Sequence, residues 1–379
     1  MKFKSFEFNL REFAGSMGDF GTLFPLAIGY IVVNGLNPAG FLVMMGLANI
    51  ATGLIYRLPM PIEPMKILAA AAIAQAWSPT MVYASAFAMG IIWLTITFTG
   101  AMRWLVKVTP LVVVRGVQIA LGVSLAAQAF PMLQTWWLLG LVSIIIILTM
   151  RQNRYAPAAL LLMLMGIGIV FFRGQFSQIP GPALTLPTFT FFGLKDVWNA
   201  LLLAGFAQVP LTIGNAVIAT ASLIREYWPE RTDINENKLA LSHGVMNLIV
   251  PFWGGMPMCH GAGGLAGQYF FGARTGGANI LEGIFEIVLG LFFAGSIAVL
   301  FTAFPQAIIG AMLLLVGVEM LKFAKDLRFN QNLIPTATTV ILALAFNMAV
   351  GFFVGLGVYH ALNLWFSRRK KDGTLDLNR

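Results

Sequence analysis

The chain has 379 residues, 58% apolar and only 10% charged, with a mean hydropathy of +0.82. Soluble domains carry about 25% charged residues, so this composition excludes one water-soluble core and reads as an integral membrane protein. The formal net charge of +9 fits the loops of a membrane protein rather than a nucleic-acid surface, and no nucleic-acid partner is expected.

The N-terminus, "MKFKSFEFNLREFAGSMGDFGTLF", lacks a compact charged region, apolar run and small-residue cleavage site, so no cleaved signal peptide is expected. Phe6, Leu10 and Phe13 fall at i, i+4 and i+7, which predicts a short interfacial helix. Apolar runs then recur to the far end as about fourteen segments, near 14–33, 38–56, 62–76, 80–102, 109–129, 135–150, 157–173, 197–223, 238–253, 257–271, 277–301, 304–321, 332–348 and 350–366. No polar stretch is long enough for a separate soluble domain, so residues 1–379 are expected to form one membrane domain. A cytoplasmic N-terminus puts all 24 Lys and Arg residues inside except Arg173, Lys195, Lys66 and Arg115. This obeys the positive-inside rule and predicts both termini in the cytoplasm.

Several landmarks recur at a near-constant offset. Gly18-Asp19 and Gly214-Asn215, like Met60-Pro61 and Met256-Pro257, stand 196 residues apart, and Gly100, Pro110 and Gly122 recur as Gly295, Pro305 and Gly317 at 195. An odd number of spans per half would bring the second copy in from the opposite side, so charge should swap at corresponding corners. It does: Arg103 and Lys107 correspond to Ala298 and Thr302, "RQNR" at 151–154 to "FNMA" at 346–349, and "QAFPML" at 128–133 to "FAKDLR" at 323–328. The fold class expected is an all-α membrane protein of two inverted seven-segment repeats, near 14–173 and 197–366, an architecture of transporters.

The third segment of each repeat is broken. In "LPMPIEPMKILAAAAIAQAW", Pro59, Pro61 and Pro64 bar a regular helix until Met65. Roughly 12 helical residues remain, about 18 Å, too short for a hydrocarbon core of about 30 Å. Its mate, "GGMPMCHGAGGLAGQ", has Pro257, Gly261, Gly263 and Gly264, predicting an extended lead-in and a short helix from about Cys259 to Phe271. Extended backbone is tolerable in a bilayer only where it is buried or lines a polar cavity. Two half-helices that aim their N-termini at one another would offer unpaired N–H groups to an anion.

The residues expected at such a site are Ile62, Glu63, Pro64, Met65 and Lys66 on the first broken segment and Met258, Cys259, His260, Gly261 and Ala262 on the second. Lys66 either attracts the substrate or pairs with Glu63. Glu63 is a proton carrier or simply that partner, and His260 donates to substrate, exchanges protons, or is a satisfied packing histidine. Asp19, beside Gly18, Gly21 and Thr22, is a site or gate residue or a helix cap. Gln208, Thr212 and Asn215 supply neutral hydrogen bonds, either to substrate or between helices. Glu63, His260 and Asp19 are the proton-coupling candidates. Glu282 and Glu286, one turn apart, should face the interior, and Glu319 should pair with Lys322. One cysteine excludes an intramolecular disulfide, and Cys259 with His260 falls short of a metal site, so neither metal nor cofactor is expected. The glycines do not form a nucleotide-binding loop, because no GxxxxGK[ST] pattern is present.

"GDFGTLFPLAIGYIVVNGL", "PMPIEPMKILAAAAIA", "VVRGVQIALGVSLA", "QVPLTIGNAVIA" and "MPMCHGAGGLAGQYFFGARTGG" together resemble the molybdate transporter family, a branch of the sulfate permease superfamily. The resemblance implies a uracil-permease-like fold with interleaved core and gate subdomains moving as an elevator. It implies oxyanion binding between the segments starting at Pro61 and Pro257, lined by Asp19 to Thr22 and Gln208 to Asn215. A glutamine is usual in the family where Glu63 stands. The STAS domain of sulfate permeases is not expected here, as in the molybdate branch. The resulting expectation is a secondary transporter and not an enzyme, carrying molybdate or, second, sulfate, in a bacterial inner membrane, with a homodimer as a possible assembly. The alternatives are a proton-coupled nucleobase or small organic anion carrier of the same fold, or an anion channel.

Overall fold

A computed structural model of the chain describes residues 2–3, 6–150, 158–321, 325 and 333–371. It begins with an antiparallel pair, β1 (Lys2–Phe3) and β2 (Phe6–Glu7). The helix expected across Phe6, Leu10 and Phe13 is therefore shorter than the periodicity suggested. Helix α1 (Leu10–Ser16) starts after Asn9, whose side chain accepts the Glu12 N–H at 2.9 Å and caps it. Nor is α1 simply interfacial: the buried Glu12 carboxylate accepts the N–H groups of Arg274 (3.0 Å) and Thr275 (3.3 Å).

A 3-10 turn (Met17–Asp19) leads into α2 (Phe20–Val32) and α3 (Pro38–Tyr56). Then come β3 (Glu63–Pro64) and the nine-residue α4 (Lys66–Ala74). Beyond them lie α5 (Pro79–Thr99), α6 (Met102–Val108), α7 (Leu111–Gln134), α8 (Trp137–Met150) and α9 (Ala158–Phe172). Helices α10 (Leu194–Ala200), α11 (Phe206–Leu211) and α12 (Thr220–Tyr227) form one continuous rod, widened by π segments at Leu201–Gly205 and Thr212–Ala219. Next are α13 (Glu236–Ile249), β4 (Met258–Cys259) and α14 (Ala262–Phe271). The chain continues through α15 (Gly277–Phe292), α16 (Ala294–Ala303), α17 (Gln306–Leu321), α18 (Leu333–Ala345) and α19 (Met348–Lys371).

The single segment expected at 277–301 is two helices, bent by 84° at Phe293. The carbonyls of Leu291 and Phe292 turn outward to accept the N–H groups of Thr185 (2.7 Å) and Ala183 (2.9 Å), which ends the helical ladder there. By length and composition five described helices suffice to cross a membrane, six if this bent pair counts as one; several other apolar helices are shorter.

Elements α3, β3, α4, α5, α6, α7 and α8 recur in the same order as α13, β4, α14, α15, α16, α17 and α18. Packing is reciprocal between the halves, α3 lying on α15 and α5 on α13. Small residues make these seams tight: a methyl on Gly46 would come 2.5 Å from the Gly283 carbonyl, and one on Gly90 2.7 Å from the Leu248 amide. Where α7 crosses α17, Gly122 and Gly317 face each other, each blocking a side chain on the other at 2.7 and 2.8 Å. Such close backbone approach is the membrane alternative to hydrophobic association between helices.

Candidate functional site

The two broken segments meet at the centre of this arrangement. Prolines at 59, 61, 64 and 257 withhold backbone donors, so each lead-in stays extended. Strands β3 and β4 pair antiparallel, Glu63 opposite Cys259 and Pro64 opposite Met258, and the Met65 N–H donates to the Pro257 carbonyl at 2.9 Å.

Extended backbone in apolar surroundings needs partners for its polar groups, and the long helices supply them. Asn49 of α3 accepts the Ile62 N–H at 3.2 Å, Thr52 donates to the Met60 carbonyl at 3.2 Å, and Asn279 of α15 accepts the Met60 N–H at 2.6 Å. Asn279 donates to Asn49 at 3.0 Å, and Asn49 donates to the Glu286 carboxylate at 2.9 Å. On the other side Asn247 of α13 brackets Met258, accepting its N–H at 2.9 Å and donating to its carbonyl at 2.6 Å. His243 accepts the His260 N–H at 2.9 Å. Sequence reasoning missed Asn49, Asn247, His243 and Asn279. The signal was there, because an asparagine in an apolar membrane helix is costly unless it has a fixed partner.

The two half-helix ends differ. At α4 the N–H groups of Ile67 and Leu68 donate to Gln208 Oε1 at 2.8 and 3.3 Å, while Gln208 Nε2 donates to Thr212 Oγ1 at 2.7 Å. Gln208 lies on α11, between the two π segments. At α14 the cap residue is Gly261, which has no side chain to cap the helix with. The Glu63 carboxylate, 1% exposed, lies against this end instead: a methyl on Gly261 would overlap Oε2, and one on Gly264 would stand 2.5 Å from Oε1. Lys66 Nζ, on the first residue of α4, meets Glu63 Oε2 at 2.6 Å. The two helix ends expected to be open to an anion are thus occupied by the protein's own Gln208 and Glu63.

Among the other expected residues, Ala262 is the first of α14 and Cys259 is buried in the ladder. His260 is fully buried, with Nε2 at 2.7 Å from Ser242 Oγ and Nδ1 at 3.4 Å from the Pro61 carbonyl; the Tyr56 hydroxyl donates to Ser242 at 2.9 Å. Asn215 is half-buried, and its carbonyl accepts the Thr220 hydroxyl at 3.1 Å. The side chains of Asp19, Gly21 and Thr22 lie outside the described residues. The turn that carries Asp19 nevertheless packs on α14, since a methyl on Gly18 would stand 2.6 Å from the Gly267 carbonyl. Glu282 and Glu286 are buried as expected, Glu282 accepting from Gln268 of α14 at 2.9 Å. The pairing expected of Glu319 and Lys322 lies outside the described residues. Among the described residues no three His, Cys, Asp or Glu side chains gather in a metal-binding group. Among the described residues, added methyls on Gly214 and Gly263 would meet nothing within 4 Å, beside the π segment and beside the first turn of α14.

A family model described as a molybdate transporter of the MFS superfamily matches residues 11–125 and 200–320. Molybdate transporter 2 of Arabidopsis thaliana is 30% identical over 412 residues, covering 93% of this chain and 87% of that protein. Molybdate transporter 1 of the same plant is 30% identical over 426 residues, covering 98% and 92%. The transmembrane domain of a cyanobacterium bicarbonate transporter, BicA, superposes with a TM-score of 0.67 at 15% identity over 94% of this chain and 98% of that one, which shows a shared fold. With the family model on more than half of the chain and full-length relatives at this identity, the chain belongs to the molybdate transporter family and is a membrane transporter, not an enzyme.

Proposed function

We propose that this protein is a secondary transporter of a tetrahedral oxyanion, molybdate first and sulfate second. The observation that carries the reading is the convergence of two half-helix N-termini and Lys66 on the β3–β4 crossing, in a chain whose relatives are named molybdate transporters. Helix N-termini and an ammonium group in a low-dielectric site attract an anion with several oxygens. The substrate site comprises the backbone from Ile62 to Lys66 and from Met258 to Ala262, with Gln208, Thr212 and Asn215 alongside, and with Asp19 at the end of the 3-10 turn and Gly21 and Thr22 at the start of α2.

About fourteen segments in two inverted sevens would divide into interleaved core and gate subdomains, the core carrying substrate by an elevator motion. Uptake would be coupled to protons through Glu63, with His260 and Asp19 as further candidates. The protein would lie in a bacterial inner membrane with both termini cytoplasmic, assembled as a homodimer. Glu63 also favours a second reading, a nucleobase or small organic anion carrier, because a carboxylate accepts a substrate N–H.

Titration of purified protein with molybdate, sulfate and uracil separates the two. The expected result is a molybdate or sulfate signal; tight uracil binding with a silent molybdate titration sinks the oxyanion reading. In proteoliposomes a carrier saturates and shows counterflow, and a non-saturating flux identifies a channel instead. Glu63→Gln is expected to abolish accumulation driven by a pH gradient while leaving counterflow, and persistence of pH-driven accumulation moves the proton to another residue.

A further inference from the structure

We propose that the Glu63 carboxylate is the resident anion of α14, and that a substrate oxyanion loads by taking its place; this makes Glu63 a specificity-determining residue and rests on the oxyanion reading above. A buried carboxylate is costly unless positive groups surround it. Glu63 has two: the Lys66 ammonium at 2.6 Å and the positive end of α14 against which it lies. The chain is cut to fit it there. Gly261 and Gly264 stand where any Cβ would overlap or crowd the carboxylate oxygens, so the seat exists only because both lack side chains. Gly263, between them in sequence, is exposed, and a methyl there would meet nothing within 4 Å among the described residues. The carboxylate therefore occupies the inner side of the first turn, and the outer side is the approach.

A tetrahedral oxyanion presents a pair of oxygens along each edge, as a carboxylate does, and so matches the same lysine and the same helix end. Both cannot be held there at once, because like charges at contact distance repel strongly in a low-dielectric site. Loading is then an exchange: the oxyanion enters from the Gly263 side, Glu63 swings out of the seat, and Lys66 transfers its contact to the newcomer. The other half-helix needs no such step, since Gln208 is neutral and Ile67 and Leu68 keep it. The exchange also selects. A monocarboxylate brings nothing that Glu63 does not already supply and cannot displace it, whereas a dianion gains the additional charge.

The test is calorimetric titration of the purified full-length transporter with molybdate, with sulfate and with acetate, comparing wild type, Glu63→Gln and Glu63→Asp. The glutamine keeps the shape without the charge, and the aspartate keeps the charge but falls one methylene short of the seat. Expected are a rise in molybdate affinity of about tenfold or more in Glu63→Gln, a smaller rise in Glu63→Asp, and acetate binding that wild type lacks. Molybdate affinity unchanged or weakened in both variants overturns the exchange while leaving the substrate assignment standing. A silent molybdate titration beside a sulfate titration that is tighter in Glu63→Gln supports the exchange and overturns molybdate as the substrate instead. Unfolding curves without ligand verify that each variant is folded, and if the glutamine variant is not, the aspartate variant decides.

Discussion

The inner ends of α4 and α14 share a plan and differ in chemistry. Each follows a proline-marked extended pair, and each lead-in is braced by an asparagine from a long helix, Asn49 for β3 and Asn247 for β4. At α4 the neutral Gln208 satisfies two amides permanently, whereas at α14 two glycines make room for a charge, Glu63, tied back to Lys66. Repetition of a backbone geometry has therefore not repeated its function: one end is a finished joint and the other holds an ion.

The largest expected effect comes from removing the group that bridges the two ends. Lys66→Ala should abolish oxyanion binding in a protein that still folds, at a stability cost of about 3–5 kcal/mol for the stranded Glu63 carboxylate, and unchanged affinity in a molybdate titration would remove Lys66 from the site. Next comes the brace. Asn247→Leu orphans a buried N–H and a buried carbonyl at Met258 and is expected to cost about 2–4 kcal/mol, read from thermal or denaturant unfolding in detergent; a variant as stable as wild type would mean that β4 does not need its bracket. Gln208→Ala strips the neutral joint from α4 and should cost about 1 kcal/mol, comparable to the loss of a helix cap. Loss of anion binding from that change as complete as in Lys66→Ala would erase the contrast between the two ends. The smallest change is expected at the ladder itself, where Cys259→Ala should cost about 1 kcal/mol or less and leave transport rates near wild type; a dead carrier would give the thiol a role.

What the sequence announced and what it hid follow one physical rule. Backbone that cannot be helical was legible, because proline at 59, 61, 64 and 257 and glycine at 261 leave few conformations open. The bend at Phe293 was not, since the interruption is made by Ala183 and Thr185 reaching in from a distant loop. The early hairpin defeated the reading of Phe6 because apolar spacing cannot say where a helix begins, while Asn9 can. At the site, Lys66 and Glu63 stood out as charges in an apolar stretch. That Glu63 crosses to α14 and Gln208 to α4 is a matter of tertiary placement, invisible to spacing along one segment. The glycines of "GAGGLAG" suggested close helix packing, and Gly267 does receive Gly18 in that way. Gly261 and Gly264 instead accommodate a carboxylate, a use that only the assembled fold reveals.

The short ladder between β3 and β4 has a mechanical consequence. It rivets the two half-helices at their inner ends, with Glu63 opposite Cys259 and Pro64 opposite Met258, and with the bond from Met65 to Pro257 across it. Each such buried bond, once broken, leaves polar groups stranded at about 1–3 kcal/mol apiece. A mouth that opened by parting α4 from α14 would break the rivet, whereas carrying both together with the α3, α13 and α15 helices that brace them leaves it whole. In the elevator reading proposed above, the bound ion would ride on a moving floor instead of being released by a pair of jaws.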